Sequence, residues 1–328
     1  MRRMAEIIAP DRHGIARAAE LLRRGAFVAF GTETVYGLGA DATNDTAVAA
    51  VFAAKGRPSF NPLICHYPDA QSAFAHLAAS EQARLIAEAL WPGPVTMILP
   101  RLPDCPISLL ASAGLDTVAA RVPEPAVTRA LLAAASTPIV GPSANRSGRV
   151  SPTTVAHVIA DLGERIDAVL DQGPCPIGIE STVLDMTRDR PVLLRFGGCS
   201  REAIERLVGP IQLASEHDTD GAALRSPGLL RSHYAPRLPV RTDATEVDAD
   251  EALLAFGPAL PGAGAAYQLS ETRDLAEAAA RLFAGLRELD SLGATRGLTG
   301  IAAMPVPDVG LGAAIRDRLA RAAAPRDD

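Results

Sequence analysis

Apolar residues recur three and four apart through GIARAAELLRR, from Gly14 to Arg24, stop at Gly25, and give way to the continuous run AFVAF. A helix therefore leads into a short buried strand. After a polar stretch, Asn44 or Asp45 can cap a helix through AVAAVFAAK, with Gly56 just past its end. Further strands are predicted at LICHY, VTMIL, TVAAR, PIVG, AVLD, STVLD and PVLLR, and further helices at EQARLIAEAL, PAVTRALLAAA, TTVAHVIADL and REAIERLV. Interleaved strands and helices mean an α/β domain. Three strand-like runs crowd between residues 167 and 195, which breaks a regular β-α-β alternation and predicts a mixed sheet.

Beyond Gly209 the texture changes. Residues 212 to 239 hold HDTDG, SPG, HYAP and LP, turn formers without apolar periodicity. After them EALLAFG, a strand at AAYQL, the helix DLAEAAARLFAGLREL, a strand at GLTGIAAM and a last helix GAAIRDRLARAA build a smaller α/β unit. The expected organisation is a first domain over 1–209, a linker or lid over 210–239, and a second domain over 240–328.

Composition narrows the chemistry. Aromatic residues make up only 4% of the 328, so the core must be built mainly from Ala, Val, Leu and Ile. A net charge of −6 gives no global field for holding nucleic acid, so an anionic ligand must be met by a local group of Arg and Lys. Cys65, Cys105, Cys175 and Cys199 lie far apart and form no C-x-x-C pair, which argues against a zinc site or a redox dithiol. Free thiols in a reducing cytosol fit better. MRRMAEIIAPDRHG has no apolar run long enough for a signal peptide, and a cytoplasmic location is expected.

Two nucleotide motifs fail on inspection. Gly37 to Ala42 fits G-x-G-x-x-A, but the helix after it starts late and no acidic residue stands about twenty positions on. No G-x-x-x-x-G-K-[ST] exists anywhere, which excludes a P-loop. What remains is a series of polar clusters at strand ends: GTETVYGLGADATN, KGRPSFNPLICH, WPGPVT, the TVAAR strand, GPSANRSGRVSPT, and GIEST followed by Arg195. Taken singly, these are helix caps, solvated helix ends or a core histidine. Together they are rich in cations and hydroxyls and poor in nucleophile-base pairs. Lys55, Arg57 and Arg195 suit phosphates, Arg121 suits a carboxylate, and the side chains of Thr34, Asn61, Ser143, Asn145, Ser151 and Ser181 can orient small polar groups. That equipment fits phosphoryl or nucleotidyl transfer, where catalysis is mainly positioning and charge stabilisation around a metal-bound triphosphate.

The ordered blocks GTETVYGLGA, KGRPSFNPL, WPGPVT, ARVP, GPSANRSG..SPT, ESTV and LRFGG, then SPG...HYAP, resemble the YrdC-like threonylcarbamoyl-AMP synthases in their long, two-domain form. They cover roughly residues 10 to 237. The resemblance implies a twisted mixed α/β sheet around a concave, basic cavity, and a smaller Rossmann-like C-terminal domain. It implies a nucleotidyltransferase that joins L-threonine, bicarbonate and ATP into threonylcarbamoyl-AMP and pyrophosphate, with Mg2+ carried on the ATP phosphates and no protein metal site. The product then goes to a separate transferase complex acting on tRNA.

By the same resemblance Thr34, His66, Arg121, Gly141 and Ser181 line the threonine pocket. Arg57, Asn61, Thr117, Ser143, Ser151, Arg195 and Tyr234 match ATP-touching positions, with Asn145 beside them. Lys55, Arg57 and Arg195 are the expected catalytic cations. Family members that bind double-stranded RNA supply an alternative, a binding module without catalysis, against which the acidic balance counts. A carbamoyltransferase maturation domain of this fold is a second alternative, but the zinc-finger and acylphosphatase segments that accompany it are absent. One departure stands out: Gly31 occupies the place where the family's first block usually has proline, a change expected to loosen the turn.

Overall fold

A computed structural model describes residues 4–58, 60–214 and 233–325. The chain divides into two compact units, and the second, residues 230–328, also takes in the short stretches 148–151 and 176–179. Most of the segment expected as a linker or lid, including SPGLLR, lies outside the described residues. Among the described residues no helix is long and apolar enough to cross a membrane.

The first unit is built on an eleven-stranded mixed sheet. In chain order its elements are β1 (Glu6–Ile8), α1 (Arg12–Arg23), β2 (Val28–Phe30), β3 (Gly37–Asp41), α2 (Asp45–Lys55), β4 (Ile64–His66), α3 (Ala70–Phe74), α4 (Glu81–Leu90) and β5 (Val95–Pro100). Then follow β6 (Thr117–Arg121), α5 (Ala126–Ala135), β7 (Ile139–Val140), α6 (Val155–Leu162), β8 (Ala168–Leu170), β9 (Thr182–Asp185), β10 (Val192–Arg195), α7 (Arg201–Val208) and β11 (Gln212–Leu213). The strand order is β1-β8-β2-β3-β7-β4-β6-β5-β9-β10-β11. The mixed sheet expected from sequence is present, with β4 parallel to β6 and both β3 and β4 antiparallel to β7.

Local chemistry explains the helices that flank the site. The Asn44 side chain accepts from the amides of Thr46 and Ala47, and Gly56 ends α2 at φ 63°, a left-handed position open to glycine at little cost. Between these caps the buried residues Ala47, Val48, Val51, Phe52 and Lys55 form one stripe at helical spacing, so periodicity alone carries a lysine to the inner face.

One element of the site region differs from expectation. GLGAD is not a loop at the end of a strand but the strand β3 itself, antiparallel to β2, and the polar turn is confined to residues 31–36. Gly39 shows why a strand can be so poor in side chains: a Cβ there would lie 2.7 Å from the Val28 carbonyl oxygen and 2.9 Å from the Phe30 ring. The glycines therefore serve close strand packing rather than a nucleotide. The Gly31 carbonyl accepts from Thr128 Oγ1 at 2.6 Å and from Gln172 Nε2 at 3.2 Å.

The second unit carries β12 (Val240–Arg241), β13 (Glu251–Phe256), β14 (Ala265–Ser270), α8 (Leu275–Arg296), β15 (Gly300–Ala303) and α9 (Leu311–Ala323). Its four strands are all parallel, in the order β12-β15-β13-β14. Helix α8 packs on β13 and β14 and runs to Arg296, about two turns past the expected end at Leu289.

The crowding around β3 grades its glycines. Gly39→Ala should lower the free energy of unfolding by about 1 to 3 kcal/mol, the cost of overpacking against backbone. Gly37→Ala, whose nearest contact would be the Phe30 ring at 3.3 Å, should cost less. Urea unfolding of the two variants checks this ranking, and equal losses would contradict it.

Candidate active site

Arg121 ends β6 and is only 3% exposed, so its charge must be met inside the protein. Its Nε donates to the Gly93 carbonyl at 3.2 Å and its Nη1 to Thr34 Oγ1 at 2.8 Å. Nη2 stands 2.7 Å from Glu33 Oε1, an ion pair by distance, though neither atom finds an aligned hydrogen bond. The other carboxylate oxygen of Glu33 accepts from the Glu124 amide at 3.1 Å. The 31–36 turn is thereby pinned to the end of β6 and to the segment that follows it.

Hydrogen accounting fixes what Thr34 can offer. Thr32 Oγ1 donates to the Val35 carbonyl at 2.6 Å, which uses its one hydrogen. In the 2.8 Å contact between the two hydroxyls, Thr34 must then be the donor. Its oxygen already accepts from Arg121, so one lone pair is left, and Thr34 can only accept from a ligand.

His66 ends β4 as the register partner of Arg121. Its ring meets Phe30 edge-on at 5.6 Å, and a Cβ on Gly141 would come within 2.7 Å of its Nδ1. The absence of a side chain at 141 is what makes room for the imidazole. Nδ1 is buried without a partner. Burial first, and the Arg121 charge second, push the imidazole down to about 3, so it is neutral at ordinary pH.

A second knot forms where three sequence blocks converge. Ser181 precedes β9, and its hydroxyl touches Thr96 Oγ1 at 2.8 Å and Arg195 Nη2 at 3.1 Å. Arg195 also donates to the Ser181 carbonyl from Nε at 3.1 Å and from Nη2 at 2.9 Å. Gly197 is packed so tightly on this segment that a Cβ would sit 2.3 Å from the Ser181 carbonyl carbon.

The third group surrounds the end of α2. Lys55, placed on phosphates by the sequence, here turns inward and donates from Nζ to the carbonyls of Ser143 and Asn145. Burial, and after it the charge of Arg57, pull the ammonium well below its usual value. Arg57 donates to Asn61 through Nε at 3.2 Å (carbonyl) and Nη2 at 2.6 Å (Oδ1), and to the Pro62 carbonyl at 3.0 Å. This leaves Asn61 Nδ2 a buried donor without a partner. Thr117 starts the strand that Arg121 ends, about 13 Å away at the usual rise per residue, and makes no hydrogen bond to the other candidates.

Ser151 and Tyr234 belong to the second unit. There Arg287 donates to the carbonyls of Val150 and Ser151, and the amide of Ala235 donates to the Gly148 carbonyl at 3.0 Å. Tyr234 is fully buried at φ 61°, its ring stacked on Phe283 at 5.4 Å with the Arg318 guanidinium 5.3 Å above it. Sequence reasoning assigned no role to Glu33, Thr96 or the Gly93 carbonyl. Their only signal was membership of the blocks TET and WPGPVT.

The buried imidazole has a measurable consequence. In the unfolded chain His66 takes a proton near pH 6.5, in the folded one only near 3, so between these values the unfolded state holds more protons. Its contribution to stability is complete above pH 6.5 and is lost as pH falls, at up to about 1.4 kcal/mol per pH unit. His66→Gln should flatten this acid limb in urea midpoints taken from pH 7 to pH 4. An unchanged slope would place its origin elsewhere.

Comparison with known proteins meets this geometry. Residues 20–197 match the Sua5/YciO/YrdC family model, described as "Telomere recombination", and residues 199–324 match "Threonylcarbamoyl-AMP synthase, C-terminal domain". A threonylcarbamoyl-AMP synthase of Bacillus subtilis is 48% identical over 69% of this chain and 65% of its own length. One from Pyrococcus abyssi is 37% identical over 93% of this chain and 92% of its own. The crystal structure of P. abyssi Sua5 complexed with L-threonine, 34% identical, superposes with a TM-score of 0.87 over 98% of this chain and 97% of that one.

Proposed function

The chain belongs to the Sua5/YciO/YrdC family of threonylcarbamoyl-AMP synthases, and from that membership we propose that it condenses L-threonine, bicarbonate and ATP into threonylcarbamoyl-AMP and pyrophosphate. The observation that carries this is the Arg121 knot: one fixed guanidinium beside one fixed hydroxyl that can only accept. Arg121 keeps one N–H of Nη1 uncommitted for a carboxylate, beside the Nη2 that faces Glu33. Thr34 takes a hydrogen from the amine or the hydroxyl of the amino acid. His66, Gly141 and Ser181 complete the pocket in this reading.

On the nucleotide side we assign Arg57, Asn61, Thr117, Ser143, Asn145, Ser151, Arg195 and Tyr234. The open Nδ2 of Asn61 supports this, since an anion supplies the missing acceptor. Arg57 and Arg195 offset the charge that gathers on the phosphates, and Lys55 holds the 143–145 loop in place. No side chain attacks. Bicarbonate takes up a proton and breaks into carbon dioxide and water, threonine's amine captures the carbon dioxide and gives up a proton, and the carbamate oxygen displaces pyrophosphate at the α-phosphate. Magnesium arrives with the nucleotide in this reading. A concave basic cavity, a cytoplasmic location and hand-over of the product to a transferase complex acting on tRNA belong to the same proposal.

Purified protein with ATP, magnesium, bicarbonate and L-threonine should release pyrophosphate and form threonylcarbamoyl-AMP. Pyrophosphate released equally well without threonine, or not at all, rejects the reading. Arg121→Lys should weaken L-threonine binding by about 1.5 to 3 kcal/mol, because one ammonium cannot serve Gly93, Thr34 and a carboxylate together. ATP affinity should hardly change in the same calorimetric series. Equal losses for both ligands would remove Arg121 from the amino-acid pocket.

A further inference from the structure

The hydroxyl pair Thr96 and Ser181 has a direction that its 2.8 Å separation leaves open, since either oxygen can donate. The surroundings decide it. Arg195 carries only N–H groups, so at 3.1 Å its Nη2 donates and Ser181 Oγ accepts. Thr96 lies inside β5, flanked by β6 and β9, with none of its surface exposed. Among the described residues its hydroxyl has no hydrogen-bond partner besides Ser181. Two hydroxyls share one contact, so one hydrogen of the pair has no acceptor among the described residues. Left on Thr96 it would be sealed within the sheet with nothing to meet. Placed on Ser181, it stands at the start of β9, in the loop that carries the candidate pocket. β-Branching also holds the Thr96 side chain in few rotamers, while Ser181 is free to turn.

We propose that Thr96 is a positioning residue: it donates to Ser181 Oγ and, together with Arg195, fills both lone pairs of that oxygen. The Ser181 O–H is then left as a hydrogen-bond donor for an oxygen of the bound amino acid. Thr34 and Ser181 become opposites in the pocket, one able only to accept and the other only to donate. The proposal rests on the reading of Ser181 as part of the L-threonine pocket. It adds a residue for which sequence offered no role.

The test is a double-mutant cycle on L-threonine binding. Thr96→Val, which keeps the shape and deletes the hydroxyl, should weaken L-threonine about 5- to 10-fold, the scale of one hydrogen bond, and leave ATP within about 2-fold, on the same scale. Thr96→Ser should restore binding. In a Ser181→Ala background Thr96→Val should cost nothing further, which a merely structural role would not produce. Full binding by Thr96→Val, or an equal loss in both backgrounds, overturns the proposal. Neutron diffraction from perdeuterated, unliganded wild-type crystals decides the direction without any ligand. Deuterium on Thr96 Oγ1 aimed at Ser181 supports it, and deuterium on Ser181 aimed at Thr96 refutes it. A wild-type protein that shows the expected deuterium yet binds no L-threonine would instead overturn the functional reading.

Discussion

A guanidinium buried at the end of β6 is the constraint from which the site follows. Arg121 is cut off from solvent, so every element within reach must bring it an acceptor. The 31–36 turn brings Glu33 and Thr34, and the segment before β5 brings the Gly93 carbonyl. Removing one of these partners would leave a buried charge short of compensation, which costs far more than a surface ion pair is worth. The turn is thus shaped by the charge it serves, and the hydroxyl chain from Arg121 through Thr34 and Thr32 to the Val35 carbonyl is the visible result.

The other cations obey the same rule with a different partner. Lys55 and Arg57 are held by carbonyl oxygens and one carboxamide, Arg195 by the Ser181 carbonyl and hydroxyl. A carbonyl fixes a cation without cancelling its charge. Arg121 has the Glu33 carboxylate beside it, and it is the cation assigned to a substrate that carries a positive end as well as a negative one.

Much of the frame was legible from residue order. Asn44 and Gly56 bracket α2 as capping chemistry predicts, and the strands from LICHY to PVLLR appear where apolar runs placed them. What escaped had little pattern to show. β1, β11 and β12 are two or three residues long, below the length at which alternation means anything, and β3 is nearly half glycine, so its strand character comes from its neighbours. The site divides in the same way. Cations and hydroxyls announce themselves in a polar block, but the roles of Glu33 and Thr96 depend on which strand lies beside which. The stretches 148–151 and 176–179, which join the second unit, were equally silent, since membership of a unit is a property of contacts.

Strand adjacency also explains why WPGPVT serves both knots. β5 lies between β6, which ends in Arg121, and β9, which Ser181 precedes. Its approach segment therefore faces both ways: the Gly93 carbonyl accepts from Arg121, and the Pro94 carbonyl accepts from the Thr182 amide at 2.9 Å. Two residues on, Thr96 reaches Ser181. The segment is itself held rigidly, because Trp91 Nε1 donates to the Val95 carbonyl at 2.7 Å and the Gly93 amide donates to the Val122 carbonyl at 2.9 Å. Gly93 has no room for a side chain, since a Cβ would lie 2.4 Å from the Leu90 carbonyl oxygen. Two prolines further restrict a backbone that must present successive acceptors to different strands. A shift of this segment in either direction would change the aim of Arg121 and the setting of Ser181 together. Six residues near the middle of the sheet thus keep the two candidate clusters in register.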